Sequence, residues 1–558
     1  MLTRTYNFAL LFALALGLTT LIPGAARADW YEASSDNFVI YADDSEKDIR
    51  RYAENLERYH KAMEQLLGYR VEKPSPSNRV TIFSVGSGRQ LRKVAGKGSR
   101  NIASFYIPRA GASRAFVQDI KSKDGYPHFS TIVLLHEYAH HFLIASSRFE
   151  MPRWMSEGGA EFFAAATFKK DGGVLIGRVA RHRAPEMSYV RKFRLQELLA
   201  STARDRRKER PTDAFYGRSW VLYHYLTFNP DRRDQLVTYS KAIRSGQSSI
   251  DAAESAFGDL DTLERELMQY IRGRNFKMLE LQAKDMPIGK VTLRRLPEGE
   301  SNVMPLRIRS QRGVNSEQAA EILEDVRELA ARYPADAGVL AALAEAEYDA
   351  GNDDEAIAAA DRAIAIDPTR TNPYVQKGFA LFRKAKDSPV PDQAYDAAMK
   401  PFTKLNQIEN DHPLPLIYYY RSYTQRGIAP PENARHALER AAQLAPFDKG
   451  LWFNVATMWM QEGKVALAKS ALQPIANDPH GGSRATGGKK LIAILDKLPE
   501  GEPIDIRKAM RMSVSEKDTA ETDGEDAAKA EARSEAGSES AAENGSEGNG
   551  ATGAEATR

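Results

Sequence analysis

Prolines recur at a near-constant interval through the C-terminal half of this chain, and their spacing restricts the fold more than any other feature. Five prolines that follow helix-like stretches are 34, 45, 33 and 33 residues apart, in Ala-rich sequence with helical periodicity. They are Pro334, Pro368, Pro413, Pro446 and Pro479. Because proline rarely continues a helix, each is expected to close one. Units of about 34 residues are typical of stacked helix–turn–helix pairs, which the sequence therefore predicts over residues 316–500.

Residues within the units support this prediction. The first unit has Ala356 and Ala363 at expected helix contacts, and the second has Tyr374 and Gly378, followed by an inserted loop near Lys384 to Asp392. The third unit repeats the pattern with Ala434, Leu438 and Ala441. The fourth is degenerate, as a terminal capping repeat would be. The pattern resembles tetratricopeptide repeats, which implies an all-α solenoid that binds a protein partner. The alternative is an unrelated helical bundle.

The first 28 residues have the organisation of a secretory signal peptide. Arg4 precedes an apolar run from Phe8 to Ile22, and the sequence Ala26-Arg27-Ala28 predicts cleavage before Asp29. An uncleaved membrane anchor is the alternative, although the run is shorter than the ~20 residues that a span needs. We expect an exported protein, in the bacterial periplasm or secreted, with no transmembrane span after cleavage.

Composition limits the chemistry. The chain has no cysteine, which excludes a cysteine nucleophile and a Cys-ligated zinc, so a metal site must use His, Asp or Glu. Residues 501–558 are predicted to be an acidic disordered tail, because Ser513 to Arg558 carries 12 acidic and 4 basic side chains and no aromatics. The whole chain has a net charge of +3, so the remainder is basic. We expect a solvated basic surface rather than a site for anionic lipid, and no nucleic-acid partner.

The region from residue 29 to 280 predicts an α+β domain. Strand-like stretches cover Trp30 to Ala42 and Arg79 to Phe83, and Ile102 to Val117 predicts a hairpin around Gly111. Predicted helices are Glu46 to Leu67, Ser130 to Ala145, Arg153 to Thr167, Phe215 to Phe228, Arg232 to Ser245, Ser249 to Phe257 and Leu260 to Asn275. Thr202 to Pro211 predicts a charged mobile loop, and residues 281–315 a linker with short strands.

Within this region, His136-Glu137-Tyr138-Ala139-His140 predicts a metal site. Histidines four residues apart share one face of a helix, about 5–6 Å apart at their Cβ atoms. Both imidazoles can therefore reach one ion, and the adjacent Glu137 can deprotonate a metal-bound water. The HExxH string alone gives false positives, and a lone histidine there would more often be a core residue.

The next predicted helix carries a candidate third ligand. Glu157 lies in its first turns, and the small residues Gly158, Gly159 and Ala160 would let it approach the first helix closely. A carboxylate there completes three protein ligands and leaves the fourth position to water, as catalytic zinc requires. Glu161, one turn further, could accept the outer N–H of a ligating histidine; a surface or capping glutamate is the alternative.

Together, HEYAH and the later WMSEGGAEFF resemble the gluzincin metallopeptidases, in particular the peptidase MA-like domain. The resemblance extends over residues 30 to about 280, including the FYGRSWVLYHYL segment. It implies a thermolysin-like fold with zinc on His136, His140 and Glu157, and with Glu137 as general base. It also implies that an edge strand within Ile102 to Val117 binds extended peptide by strand addition.

A second electrophile is expected for the oxyanion of peptide hydrolysis. In related gluzincins a Tyr or His downstream of the third ligand supplies it, which makes Tyr216 the candidate and His224 the alternative. Tyr216 could equally be a buried packing residue. His141 falls off the ligand face and is predicted to be structural.

Three functions fit these predictions. The first is an exported zinc metallopeptidase whose repeats recruit a substrate or partner. The second is a repeat-based binding or scaffold protein of the bacterial envelope with a weakly active or inactive peptidase-like domain, because fold does not fix function. The third is a purely structural zinc, which would need a fourth protein ligand that the sequence does not offer.

Overall fold

The computed structural model describes residues 29–96, 102–123, 125–146, 151–202, 213–478 and 482–505. The signal-peptide prediction, nearly all of the predicted charged loop and the acidic tail from residue 506 lie outside these residues. Among those described, no helix is both long and apolar enough to cross a bilayer.

A six-stranded mixed sheet forms the centre of the first half. Its strands are β1 (Tyr31–Ser34), β2 (Phe38–Ala42), β3 (Val80–Ser84), β4 (Ser104–Ile107), β5 (Arg114–Val117) and β11 (Thr292–Arg295). Their order in the sheet is β11-β1-β2-β3-β5-β4, with β2, β3 and β5 parallel and the outer pairs antiparallel. Smaller sheets contain β6 (Ser122–Lys123), β7 (Tyr126–Pro127), β8 (Thr167–Phe168), β9 (Val174–Ile176) and β10 (Leu279–Leu281).

The stretch Trp30 to Ala42, predicted as one strand, is instead two antiparallel strands. The turn between them is closed by Ser35, whose N–H donates to the carbonyl of Phe38 over 3.0 Å. Asn37 donates through its backbone N–H and side-chain amide to the buried carboxylate of Glu57, at 2.7 and 2.8 Å. A helix thus anchors the turn, a long-range contact that periodicity does not reveal.

Helices cover both faces of the sheet. The first half contains α1 (Glu46–Leu67), α2 (Gly88–Ala95), α3 (Phe129–Ser146), α4 (Arg153–Ala164), α5 (Ala184–Met187), α6 (Leu195–Ala200), α7 (Phe215–Phe228), α8 (Gln235–Arg244), α9 (Ser249–Phe257) and α10 (Leu260–Gly273). One face packs against α1 and α3 in the main hydrophobic core, and the other packs against α2 and a later helix, α11 (Glu298–Gln311). Strand β2 is buried along its whole length, as expected for a strand covered on both sides.

Residues 281–315, predicted as a linker with short strands, contain strand β11 but also a 14-residue helix. Strand β11 pairs with β1 as the edge of the main sheet, and helix α11 follows it. Pro305 lies inside this helix, and its buried side chains include polar Glu300 and Gln311 as well as Met304 and Ile308. Because α11 packs between the sheet and the repeats, its apolar residues do not form the single stripe that periodicity detects.

The predicted stack of helix pairs is confirmed over the repeat half. Its helices are α12 (Ser316–Arg332), α13 (Ala337–Asp349), α14 (Asp353–Ile366), α15 (Thr371–Lys386), α16 (Pro391–Ile408), α17 (Pro413–Thr424), α18 (Glu432–Leu444), α19 (Lys449–Gln461), α20 (Val465–Ala476) and α21 (Gly482–Leu495). The long interval in the second unit comes from longer helices of 16 and 18 residues. The inserted loop predicted there is only the short connection 387–390.

The tip of the β4–β5 hairpin touches the repeat half at Gly111. This residue has φ of +76°, and a Cβ there would lie 3.0 Å from Cε1 of His412 and 3.3 Å from Cγ of Leu414. Gly86 has a similar φ of +79°, but a Cβ there would meet nothing within 4 Å. A substitution at Gly86 therefore adds backbone strain alone, whereas one at Gly111 adds backbone strain and a collision with the repeat half.

We predict that Gly111→Ala lowers the melting temperature more than Gly86→Ala. Both substitutions place a side chain at positive φ, at a cost of about 1 kcal/mol, but only Gly111→Ala also displaces the repeat loop, adding about 1–3 kcal/mol. Thermal melting of the two full-length variants measures the difference. Equal melting temperatures would contradict the domain contact.

Candidate metal centre

The two histidines of the HExxH string lie side by side on α3. His136 and His140 are almost fully buried, and their Nε2 atoms are 3.1 Å apart. The helix is buried on several sides, with Leu135, Tyr138 and Ala139 in the core. Core packing therefore sets the helix rotation that directs both imidazoles to one point.

Helix α4 supplies a carboxylate at the same point. Glu157 has no exposed surface, and its Oε2 lies 3.3 Å from Nε2 of His136 and 3.3 Å from Nε2 of His140. In the part of the chain that the structure describes, these three residues form the group of His, Asp or Glu able to share one metal ion. The structure thus brings together the three ligands proposed from sequence.

The glycines beside Glu157 were predicted to let α4 approach α3, but they face a different helix. A Cβ at Gly158 would lie 2.5 Å from the backbone oxygen of Ser219 on α7, and one at Gly159 would lie 3.3 Å from the ring of Tyr223. On α3, the nearest atom to Gly159 is Cδ1 of Leu143, at 3.7 Å. The glycines therefore allow a close approach chiefly between α4 and α7. Helix α7 thus supports α4 on the side where the two glycines lie.

The three donor atoms fit a tetrahedral zinc ion. Donors about 2.0–2.1 Å from a tetrahedral centre are separated by about 3.3–3.4 Å, close to the 3.1–3.3 Å found here. Two neutral nitrogens and a carboxylate are also ligands that zinc commonly uses. Burial lowers the pKa of His136, but Glu157 and Glu161 outweigh it and raise that pKa to about 10. These carboxylates thus favour positive charge at the centre.

Glu161 fixes the outer side of the first ligand. It is completely buried, and its Oε1 lies 3.1 Å from Nδ1 of His136. Arg183 donates to the same oxygen at 2.6 and 3.0 Å, and His182 contacts the other oxygen at 2.7 Å. Burial would raise the pKa of Glu161, but Arg183, His182 and His136 hold it well below its ordinary value. The surface-glutamate alternative does not describe this residue.

The sequence does not predict three residues that contact the candidate ligands or Glu161. The hydroxyl of Ser156 lies 3.2 Å from Nδ1 of His140, while His182 and Arg183 reach Glu161 from the segment after β9. Ser156 directly precedes Glu157, so its position on the ligand helix was a usable signal. The other two come from a turn whose sequence shows no periodic pattern, and only the tertiary fold places them there.

Glu137 follows His136 on α3, and the ring of Tyr216 lies near that of His136. Glu137 is partly exposed on α3, and its charge raises the pKa of Tyr106 on β4 after the larger effect of burial. The Tyr216 ring centroid is 6.4 Å from that of His136, and the guanidinium of Arg183 lies 4.5 Å above the Tyr216 ring. Tyr216 is half-buried, so its role as electrophile stays a prediction beside the packing alternative.

His224, the alternative electrophile, is not brought to the site. It is fully buried, and its Nε2 lies 2.8 Å from the carbonyl of Gly177 and 3.0 Å from that of Lys277. Its Nδ1 contacts the hydroxyl of Tyr270 at 2.9 Å. Burial lowers its pKa to about 4, so it is a neutral core histidine. Position within α7 alone could not separate its face from that of Tyr216.

His141 is also a packed residue, as predicted. Burial, with a smaller effect of His60, lowers its pKa to about 3, and its ring stacks on that of Tyr138. Strand β4, within the predicted peptide-binding stretch, is the edge strand beside α3. The strand is therefore placed where an extended peptide could add to the sheet.

Residues 129–247 match a family model described as "Protein of unknown function (DUF1570)". This match includes the whole of α3, α4 and α7, and thus every residue proposed here as a ligand or catalytic group. A comparison with curated proteins finds no match.

Solved structures with a likeness to the chain include a TPR protein. A thermophilic TPR protein of Thermus thermophilus is 15% identical, covers 36% of this chain and 100% of its own, and has a TM-score of 0.30. MamA is 17% identical, covers 32% of this chain and 92% of its own, and has a TM-score of 0.23. The Cut9–Hcn1 hetero-tetramer of APC/C is 12% identical, covers 66% of this chain and 76% of its own, and also has a TM-score of 0.23. Scores this low establish no shared fold, so the repeat assignment depends on this chain's own helix pairs.

We predict that Ser156→Ala weakens zinc binding about 10-fold, because loss of an outer hydrogen bond leaves the ring of His140 less well oriented. Ser219→Ala is the matched control, since this buried hydroxyl has no hydrogen-bond partner among the described residues. Competition with a chromophoric chelator measures both affinities. An unchanged affinity in Ser156→Ala would show that this hydroxyl does not orient the ligand.

Proposed function

We propose that the chain is a zinc-dependent metallopeptidase. The observation that carries this proposal is the convergence of His136 Nε2, His140 Nε2 and Glu157 Oε2 within 3.3 Å of one another. The partly exposed Glu137 directly follows His136 on the same helix. Among the described residues this group has three members. Three protein ligands with an open position are typical of catalytic zinc, whereas a structural site is closed by four.

The chain's own residues divide the work. Zinc bound there supplies Lewis acidity and makes water nucleophilic near neutral pH. Glu137 accepts the proton of the attacking water and returns it to the leaving amine, the usual role of a positioned carboxylate. Tyr216 donates a hydrogen bond to the developing oxyanion. Glu161 and Ser156 hold the two imidazoles in orientation.

An extended peptide is the substrate that best fits this arrangement. Strand β4 is one of the two edge strands of the main sheet among the described residues, and it lies next to the helix that bears Glu137. A peptide added to this edge would make main-chain hydrogen bonds that carry little sequence preference. We therefore expect cleavage of unfolded or flexible segments, with side-chain selectivity set by the neighbouring surface.

Glu137→Gln tests the catalytic role directly. We predict one zinc per chain in both the wild type and the variant, with peptide cleavage reduced about 10²–10⁴-fold in the variant because the general base is lost. Zinc content by mass spectrometry and digestion of a peptide library are the measurements. Glu197→Gln, an exposed carboxylate of the same domain, is the control and should cleave like the wild type.

Two results would exclude the peptidase. If the wild type binds no zinc at micromolar metal concentrations, the proposed zinc site is excluded. If the wild type binds zinc but cleaves no peptide in the library, the proposed peptidase activity is excluded.

A repeat-based binding or scaffold role is the second candidate, and the observed helix pairs favour it. Stacked pairs of this kind present extended surfaces to protein partners. This role has the better support of the two, because the helix pairs are observed, whereas the matched family model has no described activity. Under this reading the exported protein, placed in the periplasm or secreted, would use its metal domain as a weakly active or inactive scaffold.

Capture experiments with the full chain separate the two. If binding is the function, wild type and Glu137→Gln should retain the same partner with the same affinity. If the partner is a substrate, only the inactive variant should retain it intact, while the wild type releases fragments.

A further inference from the structure

Two loops that join consecutive helix pairs lie against the first half of the molecule. In the first loop, Glu409 accepts hydrogen bonds from the N–H and the hydroxyl of Ser77, at 2.9 and 2.8 Å. In the second loop, Asp448 accepts the N–H of Ala110 at 3.0 Å. Glu409 is buried. These contacts fasten the repeats to the tip of the β4–β5 hairpin and to the turn before β3.

The side chain of Asn78 links these parts. Its Oδ1 accepts the N–H of Gly111 in the hairpin tip at 2.8 Å, and its Nδ2 donates to the carbonyl of Leu444 at 2.8 Å. Asp448 likewise serves both sides, because its other oxygen caps α19 by accepting the N–H of Leu451 at 3.0 Å. The interface is thus built from groups with a partner on each side.

One aromatic residue of the second loop reaches the ligand helix. Phe447 is 5% exposed, and its ring centroid lies 4.4 Å from that of His141, the residue after the ligand His140. Tyr138 stacks on His141 as well, with ring centroids 5.6 Å apart and planes 18° apart. His141 is therefore held between the body of α3 and a side chain of the repeats.

The same histidine holds the edge strand. The hydroxyl of Tyr106 on β4 lies 2.7 Å from Nδ1 of His141, and the two rings meet edge to face at 5.9 Å. Displacement of His141 would therefore move both the helix of the metal ligands and the strand that faces it.

We propose that Phe447 is a positioning residue through which the repeat loops set the relative placement of the edge strand β4 and the ligand helix α3. The repeats then act on the metal domain of their own chain, in addition to any external partner. The effect on substrate rests on the proposed peptidase function, whereas the effect on the strand and the metal site does not.

Hydrogen exchange in the full-length, zinc-loaded chain tests this placement. In Phe447→Ala we expect amides of residues 104–107 to exchange about 10-fold faster, because His141, which contacts β4, loses its own contact with Phe447. We also expect zinc to bind about 5–10-fold more weakly, a change typical of lost support for a metal ligand. Phe447→Tyr keeps the ring and should restore both values to within about 3-fold of the wild type.

Phe453→Ala is the matched control. Phe453 packs in the same repeat cluster but further along α19, so its loss should lower the melting temperature while leaving β4 exchange and zinc affinity unchanged. The proposal is overturned if Phe447→Ala leaves β4 exchange unchanged, or if Phe453→Ala accelerates it equally.

Peptide kinetics separates this proposal from the proposed function. With an active enzyme, Phe447→Ala should raise KM more than it lowers kcat, because the strand that would bind peptide is loosened while Glu137 is retained. If the wild type cleaves no peptide, the peptidase fails, and the exchange result still decides the role of Phe447.

Discussion

Two carboxylates without exposed surface, Glu157 and Glu161, lie one turn apart on α4 and set the conditions for the whole site. Buried negative charge is strongly unfavourable unless cations and hydrogen bonds compensate it. The carboxylate of Glu161 contacts the side chains of Arg183, His182 and His136. The carboxylate of Glu157 contacts the Nε2 atoms of both His136 and His140. The charge of the outer carboxylate is thus neutralised by the protein, whereas the inner one belongs to the group of three residues able to share one metal ion.

The surrounding fold makes this arrangement rigid. Gly158 lets α4 contact the backbone of α7, and the apolar surroundings of α3 fix the rotation of its histidines. On its outer side, α3 contacts β4 through His141 and the repeats through Phe447. The candidate metal site therefore lies where the sheet, α3, α4 and the repeat loops meet, so that the first half of the chain and the repeat half are in contact there.

Much of this was predictable from sequence because the signals were local. The i,i+4 spacing of His136 and His140 needs only a helix, and the proline period needs only repeated helix pairs. Other features depend on distant contacts. The turn after β1 is held by Glu57, α11 has buried residues on more than one side, and Arg183 reaches Glu161 only in the folded chain. His224 shows the same limit, since a helical position does not reveal which face is core.

X-ray absorption at the zinc K edge of the full-length protein tests the central claim most directly. The account predicts one zinc per chain with only nitrogen and oxygen donors at about 2.0–2.1 Å, including two imidazoles, and loss of one imidazole in His140→Ala. A spectrum without imidazole scattering, or one that is unchanged in His140→Ala, would contradict the site built from His136, His140 and Glu157.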